Sequence, residues 1–154
     1  MTLEEIAAPL MPALVPLAYA LAVVAVLLLV RHIAQRYPSV PARLPLNIRI
    51  DGRPSKRSGP KAILWVDPAI LAAVLALLGV LLAVKPPPPP ELRVPFALGL
   101  VVFAEVAWFV GWLDDRKIEL ARKMTYRIMP MRTLRAFLPI LATIAVVIAL
   151  IART

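Results

Sequence analysis

Cysteine is absent from the chain, and histidine occurs once, as His32. The first absence removes disulfides, thiolate metal sites and cysteine nucleophiles. A single histidine, with no cysteine and no clustered carboxylates beside it, does not make a metal site. His32 follows Arg31 at the end of an apolar run and reads as an interfacial side chain. Serine is scarce as well: Ser39, Ser55 and Ser58 lie in one loop with no general base near them except His32, and no glycine-rich phosphate loop is present. Paired carboxylates occur only as Glu4-Glu5 and Asp114-Asp115, the latter at an apolar boundary among basic residues that compensate it. With no nucleophile–base pair, no catalytic residue, metal or cofactor is assigned, and a non-enzymatic role is expected.

What the chain does have is apolar surface and positive charge. Of its 154 residues 61% are hydrophobic, and the formal charge is +9. A soluble domain of this length cannot close a core over that much apolar surface, whereas a bilayer accommodates it directly. The basic residues sit in blocks between apolar runs, so nucleic acid is not an expected partner. Four segments approach the length of a membrane-spanning helix, at residues 10–30, 67–84, 94–113 and 134–151. Asp67 before Pro68 reads as an N-cap followed by proline at the first helical position, and Pro95 reads as a similar start for the third span. Pro86 to Pro90 stops the second span and forms a stiff connector. The first span is preceded by Glu4 and Glu5 and not by a positive n-region, so a retained helix is expected in place of a cleaved signal peptide. Residues 31–62 hold eight Lys and Arg and residues 114–135 hold seven, fifteen of the eighteen in the chain. That bias places both segments in the cytoplasm and both termini outside. The expected fold is all-α: a single polytopic membrane domain over residues 1–154, a bundle of four transmembrane helices.

Two polar segments interrupt the bundle. Residues 114–131 continue the third span as a basic amphipathic helix. Ile118, Ala121, Met124, Ile128 and Met129 recur at helical spacing, and Arg116, Lys117, Lys123 and Arg127 lie on other faces. Glu119 and Lys123 are spaced for an i,i+4 pair, and Pro130 ends the helix. Such a helix is expected to lie among anionic lipid headgroups. The loop at 31–66 differs. Its prolines from Pro38 to Pro45 forbid a long helix, Asn47 to Ile50 alternates polar and apolar side chains, and Asp51-Gly52 is a turn dipeptide. Pro54 demotes any returning strand. An ordered loop is expected, with Gly52 at positive φ. Its partner-facing residues are taken to be Tyr37, Pro45, Asn47, Asp51, Gly52, Pro54 and Lys61.

The stretch "LPLNIRIDGRP" and the "GPK" that follows resemble the signature loop of the domain-of-unknown-function 1648 family, bacterial and archaeal membrane proteins that include the N-terminal part of SdpI-type immunity proteins. Pro45, Gly52 and Pro54 keep that family's spacing, and Lys61 closes the stretch one residue late. Asn47 stands where the family has histidine, Ile48 and Arg57 replace its aromatics, and Ser55 replaces its aspartate. The resemblance covers about the first 70 residues. It implies a multi-pass protein of a prokaryotic cytoplasmic membrane, of signal-response or immunity type, and no particular reaction.

Glu105 lies near the middle of the third span. A charge at that depth costs about 2.5–3.5 kcal/mol on insertion scales, so a neutral acid hydrogen-bonded to Tyr19 or Thr143 is expected. Leu98, Val101, Val102, Glu105, Trp108, Phe109 and Trp112 share a face, expected to pack on the first and fourth spans or on a neighbouring subunit. Three functions are compatible with these features: a regulatory or immunity-like protein that binds or senses another membrane component, an accessory subunit of a larger membrane complex, and a proton-coupled carrier. The expected partners are anionic lipid and a membrane protein or second copy of the chain.

Overall fold

The computed structural model describes residues 9–49, 53–123 and 130–153. Four of its helices are long and apolar enough to cross a membrane. These are α1 (Met11–Arg36), α2 (Val66–Val84), α3 (Pro90–Lys123) and α4 (Pro130–Ile151). Between α1 and α2 lie a short 3-10 turn (Tyr37–Ser39), strands β1 (Arg43–Pro45) and β2 (Ser58–Pro60), and a second 3-10 turn (Lys61–Trp65).

Local chemistry sets the helix starts, with three departures from expectation, one being that Pro130, expected to end the preceding helix, opens α4. The turn ending at Trp65 is already helical, so α2 begins at Val66 and Asp67 sits within the first turn without capping it. There its carboxylate complements the helix dipole. The third helix starts at Pro90, the last of the proline run, where a missing N–H removes no helical bond. Pro95 is therefore inside α3 and does not mark its start. The 34 residues of α3 extend about 51 Å at 1.5 Å per residue, well beyond a hydrocarbon layer of about 30 Å. Span and polar extension form one continuous helix.

At the centre is a parallel pair, α1 with α3; α2 packs on α1, and α4 packs on α3. The pair holds its register. His32 meets Asp115 and Ser39 meets Arg122, each 83 residues apart. The seam buries Val15, Ala18, Ala22, Val26 and Leu29 of α1 and Ala97, Leu100, Ala104, Ala107 and Gly111 of α3. Small residues let two helices approach closely, which matters where lipid supplies no hydrophobic drive between them. At Gly111 a Cβ would stand 3.2 Å from Leu29 Cδ1. The face of α3 turned to α1 is thus this small-residue face, while the Leu98–Trp112 face meets α4 through Glu105 and Phe109. Aromatic rings would hold the helices apart, and Trp108 is 58% exposed.

Candidate functional site at the polar end of the bundle

The loop between α1 and α2 is a folded hairpin. β1 and β2 pair antiparallel, Arg43 opposite Pro60, Leu44 opposite Gly59 and Pro45 opposite Ser58, and a further bridge joins Ile48 to Pro54. Backbone bonds run from Lys61 N to Ala42 O (3.1 Å), Leu46 N to Arg57 O (3.0 Å), Ser55 N to Asn47 O (2.8 Å) and Arg49 N to Arg53 O (2.8 Å). These bonds flank the pairs that contain Pro45, Pro54 and Pro60, so each proline occupies a position whose N–H the ladder does not use. Pro54 is expected to demote a returning strand; at Pro54 the pairing is an isolated bridge, in a register where its missing N–H removes no bond. Between the Pro45 and Ile48 pairings the returning side carries one more residue, a bulge. Ser55 Oγ fills that irregularity, accepting from Asn47 N (3.3 Å) and donating to Arg57 O (2.8 Å). The turn expected at Asp51-Gly52 lies outside the described residues.

A two-stranded hairpin is marginal on its own in water. Here Leu44 points inward and is fully buried, in one cluster with Ile33, Val40, Leu64 and Ile118. Tyr37 and Trp65 pack with ring centroids 5.8 Å apart, and Lys61 Nζ lies 4.5 Å from the Tyr37 centroid. Arg122 donates to both the carbonyl and the hydroxyl of Ser39 at 2.8 Å. Tyr37 and Lys61 therefore fasten the base of the hairpin, while Pro45 lies in its ladder opposite Ser58. The cations it turns outward are Arg43, Arg49, Arg53, Lys56 and Arg57, all exposed. Asp51 is the one acidic residue between Val40 and Pro60.

Against the hairpin, the extension of α3 has Ile118 and Ala121 covered by protein. Its basic residues are partly neutralised. Arg116 pairs with Glu119 and stacks over the Trp112 ring at 5.4 Å. Lys117 was expected at the membrane surface. It is drawn inward, its side chain 13% exposed, to Asp114, itself 2% exposed, at 3.3 Å. A buried carboxylate demands a nearby cation more strongly than lipid headgroups do. Asp114 Oδ2 has no hydrogen-bond partner among the described residues. His32 Nε2 lies 2.9 Å from Asp115 Oδ1, with Arg36 Nε 3.9 Å from the same oxygen, so His32 ties α1 to α3. Arg127, Met124, Ile128 and Met129 fall outside the described residues, as does the side chain of Lys123.

Within the spans, Thr143 Oγ1 of α4 donates to Glu105 Oε1 at 2.9 Å and also lies 3.1 Å from the Pro139 carbonyl. Glu105 Oε2 is buried with no partner. Phe109, one turn on, packs against Phe137 of α4 at 5.3 Å. Tyr19 is elsewhere: its hydroxyl donates to the Leu75 carbonyl of α2 (2.8 Å), across Gly79, where any Cβ would overlap the phenol oxygen. Among the described residues no group of three His, Cys, Asp or Glu side chains is placed to hold a metal ion.

No protein-family model, curated protein or solved structure matches the chain.

Proposed function

We propose that the chain is a multi-pass membrane protein of regulatory or immunity-like type that binds another membrane component through its basic hairpin and performs no chemistry of its own. One observation carries this reading: Leu44 and Leu64 are buried in the helix cluster while five basic side chains of the same hairpin face outward. A binding surface held in place before its partner arrives loses less entropy on association. Its charge favours an acidic segment of a membrane-protein partner, met at the headgroup level, with on-rates that fall as salt rises. The charge bias puts the hairpin on the cytoplasmic side with both termini outside. The resemblance of the 45–61 stretch to the domain-of-unknown-function 1648 family supports a prokaryotic cytoplasmic membrane. The Glu105–Thr143 bond and the exposed outer face of α4 favour a second reading, an accessory subunit that docks through its spans.

Purification in mild detergent with mass spectrometry of co-eluting proteins separates the two. A partner retained by the parent chain and lost from the combined Arg43→Gln, Arg49→Gln, Lys56→Gln variant, with membrane insertion unchanged, supports hairpin recognition. A partner that survives that variant but is lost on changing Leu138 or Leu141 of α4 supports the accessory reading. Sidedness is tested separately in this cysteine-free chain. Cysteine placed at position 56 should resist an impermeant reagent on intact cells, and cysteine at position 2 should react; the reverse pattern contradicts the orientation.

A further inference from the structure

The α1–α3 seam closes on small side chains, but towards its polar end it opens on one side into a cleft of about 590 Å³. That volume lies within the usual range of small-molecule sites, roughly 300–1,000 Å³. The lining changes along its length. Leu28 of α1 with Ala107 and Trp108 of α3 forms an apolar stretch; Arg31, Gln35 and the hydrogen-bonded pair His32–Asp115, with Trp112 of α3, form the mouth. From Leu28 to Gln35 the helix rises about 10 Å. Arg31 is the first charged residue after the apolar run, so the mouth falls where hydrocarbon gives way to headgroups. A cleft apolar below that level and cationic at it fits an amphiphile aligned with the helices.

The charges at the mouth choose its headgroup. Three carboxylates at this end have partners: Asp115 is hydrogen-bonded to His32 with Arg36 3.9 Å away, Asp114 pairs with Lys117, and Glu119 with Arg116. Arg31 and Gln35, one turn apart and both exposed, have no partner among the described residues. A guanidinium beside an amide N–H is a donor pair suited to a phosphodiester, and an added headgroup cation would face Arg31 and Arg36 unfavourably. Trp108 and Trp112 suit the interfacial depth.

We infer that this cleft binds one anionic phospholipid, with its phosphodiester on Arg31 and an acyl chain along Leu28 and Trp108. The inference rests on the multi-pass reading and is independent of what the hairpin binds. The test takes the full chain from bilayers of equimolar phosphatidylglycerol and phosphatidylcholine into mild detergent and measures retained lipid by native mass spectrometry. One phosphatidylglycerol per chain should be kept in preference to phosphatidylcholine. Arg31→Gln should lower retention about tenfold, the loss that goes with one charge-assisted hydrogen bond. Leu28→Trp, at a position 57% exposed, fills the apolar stretch and should cause a comparable loss with Arg31 intact. The hairpin variant Lys56→Gln, Arg57→Gln should retain lipid like the parent. Equal retention of the two lipids, parent-like retention in Arg31→Gln or Leu28→Trp, or a loss that follows the hairpin charges would each overturn the site. None of these results bears on hairpin capture of a protein partner.

Discussion

The seam between α1 and α3 and the cluster beneath the hairpin both bury apolar side chains, yet they are made of different residues. Along the spans Ala18, Ala22, Ala97, Ala104, Ala107 and Gly111 alternate with Val15, Val26, Leu29 and Leu100; at the polar end the contact is Ile33, Val40, Leu44, Leu64 and Ile118, with no small residue among them. The difference follows from the two solvents. Lipid is as apolar as leucine, so helices associate there through close van der Waals contact, which small residues permit. In water, large aliphatic side chains gain most from burial, roughly 25 cal/mol per Å² of apolar surface removed. The change from one composition to the other marks where these two helices leave the membrane. It also makes the polar end a small water-side core in its own right, built from the ends of α1 and α3 and the hairpin between.

The sharpest break in that comparison is at Leu44. Leu44→Ala should cost about 2–5 kcal/mol of hairpin docking, seen as faster amide exchange through residues 42–61 with membrane insertion unchanged. Leu77→Ala, at a lipid-facing position 61% exposed, should leave stability nearly unaltered in the same assay. The seam should respond in the opposite sense, to enlargement. Ala107→Leu at a fully buried position should destabilise the α1–α3 pair by about 1–3 kcal/mol on denaturant titration in detergent. Trp108→Leu should be close to silent there. The smallest effect belongs to the polar bond in the spans. Glu105→Leu removes the acceptor for Thr143 and should weaken α3–α4 association by about 0.6 kcal/mol, up to about 1.7. Glu105→Gln keeps an acceptor and should match the parent; loss of a transport activity in Glu105→Gln with assembly intact would instead mark a carrier.

The spans were legible because apolar runs of that length have few alternatives, and the helices bracket them with shifts of a few residues. α3 reaches further back than expected because Pro90 was read as connector when it is a favourable first helical residue. The face of α3 expected to pack meets α4 through Glu105 and Phe109, but α1 meets a different face. The signal for the α1 side is the repeat of small residues at 97, 104, 107 and 111, with Ala97 in one cluster with Ala18, Ala107 in one with Ala22, and Gly111 against Leu29. The hairpin was harder still. Whether Pro45, Pro54 and Pro60 break a ladder depends on the register, and register comes from the pairing of residues up to seventeen positions apart, Arg43 with Pro60. The His32–Asp115 and Lys117–Asp114 pairs split one acidic dipeptide between two tasks, a division that only the rotation of α3 against α1 reveals.

That the hairpin is a folded unit docked on the helix ends is tested most directly by residue-resolved amide exchange on the full chain in lipid. The ladder predicts slow exchange at Leu46, Ser55 and Lys61, whose N–H groups bond to Arg57, Asn47 and Ala42, and a common loss of that protection in Leu44→Ala. Uniformly fast exchange across residues 42–61 in the parent, at the rate of an unstructured peptide of the same sequence, would contradict it.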